Sequence, residues 1–110
     1  MKLKIIPTES FKKEVKRLKK KNPRIIESLK ELNQALQNNE FGVPIGKGVY
    51  KKRVKNLDLQ KGKRAGFRVI GYKDVEMGKF YLLTIYSKSE KETVDEKEII
   101  ELLKTIGVFN

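Results

Sequence analysis

The segment from Phe80 to Ile85 restricts the fold of this chain more than any other part of the sequence. Its apolar side chains fall on both alternating faces, whereas a strand exposed on one side carries them on one face only. We therefore expect a strand over about residues 79–87, at the buried centre of a sheet. Two further strands are predicted before it, at about residues 49–56 and 65–73.

The first 40 residues predict one strand and two helices. Lys2 to Ile6 alternates like a strand that ends at Pro7. A helix follows Thr8, its predicted N-cap, and a second helix is predicted from Asn22-Pro23 to Asn38-Asn39. Apolar residues recur every three or four positions in both, so we expect an amphipathic helical hairpin that lies on the sheet.

Two segments are predicted to be loops: Glu40 to Gly48, with its glycines and Pro44, and Leu57 to Arg64, rich in Lys and Gly. Thr93 and Glu96 fit a capping box before a last amphipathic helix. The resulting order is β-α-α-β-β-β-α. This is an α+β fold in which a helical hairpin packs on a small, mainly antiparallel sheet. We expect residues 1–110 to form a single domain, without an internal repeat.

The composition excludes several kinds of chemistry. The chain has no Cys, His or Trp, which removes disulfides, thiolate and imidazole catalysis, and any Cys/His zinc site. No apolar run approaches the roughly 18 residues of a membrane span, and Met1 opens a charged segment instead of a signal peptide. We expect a soluble, cytoplasmic protein without a cofactor.

Positive charge is concentrated in two blocks. The net charge is +12, from 26 basic and 14 acidic residues. Nine of the basic residues lie in residues 1–22 and nine in residues 48–73. Such blocks favour a partner with a dense negative field, of which phosphate polymers are the commonest. The alternative is that a lysine-rich helix is only well solvated, but strands seldom carry so many cations.

The second block contains the candidate site. Alternation puts Lys51, Arg53 and Lys55 on one face of their strand. If the strand around Arg68 is its antiparallel neighbour, then Lys51, Arg53 and Arg68 converge on one uncovered surface. Lys88, just after the last strand, could reach the same rim.

Converging cations suit the cleavage of RNA by a neighbouring 2′-hydroxyl. This reaction needs a base, stabilisation of charge at phosphorus, and an acid for the leaving 5′-oxygen. Without His, a lysine serves as the base only in its neutral form, which adjacent cations favour. Arginine offers a planar fork of donors to phosphate oxygens. Tyr86 or Lys88 could supply the proton.

The same residues also allow simpler roles. Lys51, Arg53 and Arg68 could grip phosphate without chemistry, or pair with carboxylates elsewhere in the fold. The acidic residues between Glu90 and Glu98 fit the start of a helix, where they complement its dipole, better than they fit a metal site. We therefore expect no metal.

Three strings of sequence resemble the RelE/ParE toxin superfamily, and its RelE/HigB-like branch of bacterial type II toxins most closely. They are GVYKKRV from Gly48, RAGFRVIGY from Arg64 and FYLLTIYSKSEKE from Phe80. The resemblance covers nearly the whole chain. It implies a RelE-like fold and a toxin that enters the A site of the 70S ribosome and cuts messenger RNA. The product would carry a 2′,3′-cyclic phosphate, formed without metal, and an acidic antitoxin would cover the basic surface.

The resemblance also assigns residues. Lys51 and Arg53 match the family's cationic positions in the second strand, and Arg68 matches the Arg of its Gly-aromatic-Arg turn. Lys88 matches the basic residue that closes the fourth strand. The chain departs from the family near Asp95, where many members place a catalytic Tyr or His.

The departure leaves the general acid open. Tyr86 precedes the expected position, and Glu90 or Asp95 would donate a proton only with a raised pKa. Two other functions also stay open: a ParE-like inhibitor of DNA gyrase, and a non-catalytic domain that binds RNA or the ribosome. General contacts to messenger or ribosomal RNA are predicted for the remaining basic residues of the two blocks: Lys12, Lys16, Lys19, Lys20, Lys55, Lys63 and Arg64.

Overall fold

A computed structural model describes residues 3–59, 65–91 and 93–108. Its elements are β1 (Lys4–Pro7), α1 (Glu9–Lys19), α2 (Ile25–Gln37), β2 (Val43–Gly46), β3 (Val49–Val54), β4 (Phe67–Asp74), β5 (Lys79–Ser87) and α3 (Glu96–Lys104). One sheet contains all five strands in the order β1-β5-β4-β3-β2. Only the β1–β5 pair is parallel, so the predicted α+β fold with a mainly antiparallel sheet is confirmed.

The helices lie on both sides of the sheet. On one side, which we call the hairpin face, α1 and α2 pack on apolar residues of β3, β4 and β5, such as Val54, Phe67 and Ile85. On the other side, the α3 face, Leu103 of α3 packs with residues such as Leu83. The predicted helical hairpin on a sheet is therefore confirmed, and α3 supplies a second layer.

The segment predicted as a loop before β3 contains an additional strand. β2 pairs antiparallel with β3, with Val43 opposite Lys51 and Pro44 opposite Tyr50. All four of its residues are exposed, so no burial pattern marks the strand in the sequence. Pro44 and the bulge after it are typical of an edge strand, because neither supports a regular ladder of hydrogen bonds to a further strand.

The predicted helix starts are right in one case and wrong in two. Thr8 caps α1, since its Oγ1 accepts the Phe11 N–H at 3.3 Å. α2 begins only at Ile25, after a turn in which the Ile25 N–H donates to the Asn22 carbonyl at 3.0 Å. α3 is capped by Asp95, whose carboxylate accepts the Glu98 N–H at 2.8 Å, and not by Thr93.

The strands agree with the prediction to within a few residues. β5 has the predicted bounds, whereas β3 ends two residues early and β4 runs from residue 67 to 74. β5 is an interior strand, but β4 occupies the middle of the sheet. The predicted first strand starts at Lys2, which lies outside the described residues. Part of the predicted loop 57–64 also lies outside them.

A bulge interrupts the pairing of β4 with β5. Ile70 stands opposite Thr84 and Gly71 opposite Leu82, which leaves Leu83 as an extra residue in β5. Gly71 is required at this point, because a Cβ there would lie 2.1 Å from Cε1 of Phe80. The bulge therefore shifts the register of the second half of β5 by one residue.

Candidate functional site

Three residues form a row across the middle of the sheet. Arg53 of β3 stands opposite Arg68 of β4, and Arg68 stands opposite Tyr86 of β5. Directly opposed residues point to the same face, and Tyr86 packs on the α3 face. Lys51 lies two positions before Arg53 in β3 and so shares this face. We call the three residues of the row, together with Lys51 beside Arg53, the cationic row.

The row is covered at one end and open at the other. Arg68 and Tyr86 are buried, with 4% and 2% of their surface exposed. Lys51 is half-buried and Arg53 is exposed. The three cations share one face, as alternation predicts, but the expectation of an uncovered surface is wrong. α3 and the buried Val94 pack on this face, and the most exposed side chain of the row is that of Arg53, on β3.

Positively charged side chains stand next to each other in the row. For two of them, the described residues supply no carboxylate that would balance the charge. Directly opposed cations destabilise a sheet, so their position has a cost. In the part of the chain that the structure describes, neither Lys51 nor Arg53 forms an ion pair. The Nη1 group of Arg68 donates a hydrogen bond to the carbonyl of Phe67 at 3.2 Å. An anion such as phosphate would relieve this repulsion.

The hydroxyl group of Tyr86 is buried, and within the described residues it has no hydrogen-bond partner. Burial raises the pKa of Tyr86 above 10.0. The charge of Arg68 and the nearby Thr93 side chain act in the opposite direction, although Thr93 does not reach hydrogen-bonding geometry. The hydroxyl therefore keeps its proton at neutral pH. It is a proton donor without a structural acceptor.

The other candidate acids are engaged elsewhere. The Glu90 carboxylate accepts from Arg17 Nη2 at 3.1 Å and from the Ser87 N–H at 3.0 Å. The hydrogen bond from Arg17 lowers the pKa of Glu90, which is the reverse of what a proton donor needs. Asp95 caps α3. Neither residue is placed as a general acid.

Lys88 lies at the rim of the site. Its N–H donates to the Gly66 carbonyl at 3.1 Å, which extends the β4–β5 pairing by one position. Alternation from Tyr86 then places Lys88 on the α3 face, beyond the end of the cationic row. Its side chain is half-buried.

The predicted RNA-binding lysines lie in two places. Those on α1 are exposed, but α1 packs on the hairpin face, on the other side of the sheet from the cationic row. Lys55 is exposed just after β3, close to Arg53 in the chain. Lys63 and Arg64 lie outside the described residues. The lysines of this first group are Lys12, Lys16 and Lys19 of α1, and Lys20 at its C-cap.

Comparison with known proteins identifies the family. A family model described as the RelE toxin of the RelE/RelB toxin–antitoxin system matches residues 3–108. The chain belongs to the RelE toxin family. It is therefore a type II toxin, and membership in the RelE family implies an antitoxin partner. A search of curated proteins finds no significant match.

Solved structures show the same fold. One of them is the free E. coli toxin RelE, in a mutant with two arginines replaced by alanine. It matches with a TM-score of 0.58 and 14% identity, over 96% of this chain and 99% of that one. At this identity, the match shows that the RelE-family toxin has a RelE-like fold.

Two further features bear on the chemistry of the RelE-family toxin. Across the described ranges, His, Cys, Asp and Glu side chains form no group of three or more that could hold a metal ion. The helices of these ranges are too short or too polar to cross a membrane.

Sequence reasoning missed the cover over the row and the ion pair of Arg17 with Glu90. Lys91 places its Nζ 5.3 Å from the centre of the Tyr86 ring, and Val94 is buried in the same cluster. No local sequence pattern predicts the packing of Val94 or the ion pair of Arg17 with Glu90. Val94 is one apolar residue among polar ones, and Arg17 and Glu90 lie 73 residues apart.

Proposed function

We propose that this RelE-family toxin is a cytoplasmic, ribosome-dependent endoribonuclease that cuts messenger RNA without a metal ion. The ribose 2′-oxygen attacks the adjacent phosphorus, and the bond from phosphorus to the 5′-oxygen breaks. The products are a 2′,3′-cyclic phosphate and a 5′-hydroxyl end. The observation that carries the proposal is the cationic row, in which Arg53, Arg68 and Tyr86 stand side by side on three strands.

The two arginines stabilise the charge that develops at phosphorus. Arg53 and Arg68 each present a fork of N–H donors to the non-bridging oxygens, whose negative charge grows as the 2′-oxygen attacks. Donors fixed on rigid strands need little reorganisation during the reaction. The repulsion between the two cations in the free toxin falls when a phosphate lies between them.

The remaining groups move the protons. Lys51, half-buried on the same strand face as Arg53, takes the proton of the 2′-hydroxyl. Tyr86 gives a proton to the leaving 5′-oxygen, because its hydroxyl is protonated and has no partner among the described residues. Lys88, at the rim, is the alternative donor.

RNA can contact the whole cationic row only after a conformational change of the toxin. Arg68 and Tyr86 are buried, so a phosphate reaches Arg53 and Lys51 first. We infer that α3 and Val94 shift from this face when RNA enters. The burial also favours a second candidate function, in which the toxin binds ribosomal RNA through its exposed cations and cuts nothing.

The two functions differ in one assay. Purified toxin is added to 70S ribosomes programmed with messenger RNA, with and without EDTA, and new RNA 5′ ends are mapped. We expect cuts that carry 5′-hydroxyl ends and that EDTA does not prevent. Arg68→Ala removes a transition-state donor and Lys51→Ala removes the base, and each should lower the cleavage rate by about a hundredfold.

Controls separate chemistry from charge and folding. Lys104→Ala removes one positive charge from the exposed end of α3, and its rate should stay within about twofold of the wild type. Circular dichroism checks that the buried Arg68→Ala variant is folded. Ribosome binding without any cut would support the binding function instead. Intact messages together with cleaved DNA in a supercoiling assay would support a gyrase inhibitor.

A further inference from the structure

A cavity on the α3 face adjoins the cationic row. Its volume is about 380 Å³, which is within the range of cavities that hold small ligands. Val49 of β3 and Ile70 of β4 line it on the side of the sheet, and Ile99 lines it on the side of α3. Ile45 of β2 forms a further wall and is 44% exposed. The cavity therefore has apolar sides and lies between the sheet and α3.

Lys51 connects this cavity with the cationic row. Its side chain lines the cavity, and it stands directly opposite Ile70 in the pairing of β3 with β4. In the proposed reaction Lys51 takes the proton of the 2′-hydroxyl, so the attacking ribose must lie beside it. The nucleobase of the same nucleotide is then at the entrance of the cavity. An unstacked base of single-stranded RNA has apolar faces and polar edges, which suits a cavity with apolar sides.

A hydrogen-bond donor and an acceptor stand side by side at the rim of the cavity. Lys47, in the turn from β2 to β3, forms an ion pair with Glu96 at the start of α3, with 3.8 Å between Nζ and Oε1. Both residues line the cavity, and both side chains are more than half exposed. A ligand that enters from solvent can therefore contact both of them.

The backbone of Lys47 has an unusual conformation for lysine. Its φ is +56°, in the left-handed region that Gly and Asn adopt most easily. Lys47 and Gly48 form the two-residue turn between Gly46 and Val49, which are paired. Such a turn favours Asn followed by Gly, so lysine has a backbone cost at this position. A function of its charge at the rim would explain why the cost is tolerated.

We propose that this cavity binds the guanine base of the nucleotide whose 2′-hydroxyl attacks; the inference rests on the proposed cleavage and adds its base specificity. The Watson–Crick edge of guanine carries the O6 acceptor next to two N–H donors, at N1 and N2. Lys47 would donate to O6, and the two oxygens of the Glu96 carboxylate would accept the two N–H groups. The other three bases lack two adjacent donor groups on this edge, so guanine forms one more hydrogen bond.

The position of Val94 links the cavity to the opening of the row. Val94 lines the cavity, and it also belongs to the cluster on the α3 face that contains Tyr86. A base in the cavity would press on Val94, which must move before RNA reaches Arg68 and Tyr86. Binding of the correct base would therefore favour the open state of the row.

Short oligonucleotides that cannot be cut test the cavity without catalysis. The probes are fluorescein-labelled and about five nucleotides long, a length that one small domain can hold. They contain 2′-deoxyribose, so no 2′-hydroxyl can attack, and they differ only in a central base flanked by deoxyuridine. Binding to the whole toxin is measured by fluorescence anisotropy at one salt concentration. We expect the guanine probe to bind about tenfold more tightly than the adenine probe.

Matched variants separate recognition of the base from overall charge. Glu96→Gln removes the carboxylate but keeps the size of the side chain, and the preference for guanine over adenine should fall to about twofold or less. Glu101→Gln makes the same change of charge on α3, away from the cavity, and should leave the preference at about tenfold. Ile45→Ser removes part of an apolar wall and should weaken binding of both probes by about threefold. Val43→Ser, also exposed on β2 but outside the cavity, should leave the affinities unchanged.

Cleavage on programmed 70S ribosomes is the second readout. Wild-type toxin should cut after guanosine about tenfold more often than after adenosine, and Glu96→Gln should lower this ratio to about twofold. Equal affinity for the two probes, or an equal loss of preference in Glu96→Gln and Glu101→Gln, would overturn the proposal while any RNA cuts left the cleavage in place. A preference for the guanine probe that Glu96→Gln abolishes, without any RNA cut, would support the base site and remove the proposed cleavage.

Discussion

The two faces of the sheet use neighbouring residues for different purposes. On the hairpin face, Val54, Phe67 and Ile85 are buried in one apolar cluster. The residues next to them in sequence, Arg53, Arg68 and Tyr86, form the row on the α3 face. Because successive side chains of a strand point to opposite sides, each of these dipeptides contributes one residue to the core and one to the candidate site.

The difference between the faces shows how a small domain can carry an unfavourable charge arrangement. Apolar burial on the hairpin face supplies much of the stability. That stability offsets the cost, on the α3 face, of opposed cations and of a buried hydroxyl that no described residue binds. Rigid strands then hold the polar groups in place. Substitutions on the two faces should therefore separate stability from activity.

The largest effect is expected on the hairpin face. Phe67→Ala removes a fully buried ring and should lower the free energy of unfolding by about 3–5 kcal/mol. The matched substitution on the other face, Arg53→Ala, affects an exposed side chain. It should change the free energy of unfolding by no more than about 0.5 kcal/mol. Urea denaturation measures both. Equal losses would contradict the division between the faces.

A smaller effect of opposite sign is expected at Tyr86. Tyr86→Phe removes a buried hydroxyl that no described residue binds, so it should raise the free energy of unfolding at pH 7 by about 1 kcal/mol. The same variant should cut RNA about a hundredfold more slowly, if the hydroxyl is the general acid. Tyr81→Phe, on the same face of β5, is the control for both measurements and should change neither appreciably.

The ionisation of Tyr86 gives a second readout of the same variant. Its pKa is raised by burial, so above about pH 10 the unfolded chain ionises before the folded protein does. The wild type should therefore lose stability as the pH rises above this value, and Tyr86→Phe should lose less. Parallel curves for the two proteins would show that the hydroxyl is not buried.

The smallest effect concerns the link between α1 and the turn after β5. The pKa of Glu90 is lowered from 4.5, first by its hydrogen bond with Arg17, so the ion pair stabilises the fold above this pH and is lost as the pH falls further. Both side chains are partly exposed, which limits the contribution to about 0.2–1 kcal/mol.

Glu90→Gln should thus lower the free energy of unfolding by this amount at pH 7 and by less at about pH 3, as measured by urea denaturation. Glu101→Gln, which breaks a surface pair with Lys104, is the control. A loss with Glu90→Gln that is the same at both pH values would exclude the ion pair as its cause.

Much of the fold could be predicted because its elements have strong local patterns. β5 is apolar on both faces and has the predicted bounds, and Thr8 is an N-cap with its side chain bonded as expected. β2 could not be predicted, because four exposed residues around Pro44 carry no alternation. The start of α3 was misplaced because both Thr93 and Asp95 are good caps, and only the structure shows which one is used.

The candidate site could be predicted in part. The grouping of Lys51, Arg53 and Arg68 follows from alternation once β3 and β4 are taken as neighbours. The burial of Arg68 and Tyr86 could not be derived, because it depends on α3 and on Val94, which are distant in sequence from Arg68. The choice among Tyr86, Glu90 and Asp95 as acid likewise needed their partners in space.

The extra residue at the bulge of β5 lies between two aromatic side chains that share one face of the sheet. Tyr81 and Tyr86 are five positions apart, an odd number that in a regular strand would send them to opposite sides, yet both pack on the α3 face. Leu83 is the added residue that changes this parity. Without Leu83, Leu82 and Thr84 would be consecutive residues of a regular ladder, and Tyr86 would still stand opposite Arg68. The insertion therefore adds an apolar side chain to the α3 face without moving the tyrosine away from the arginine.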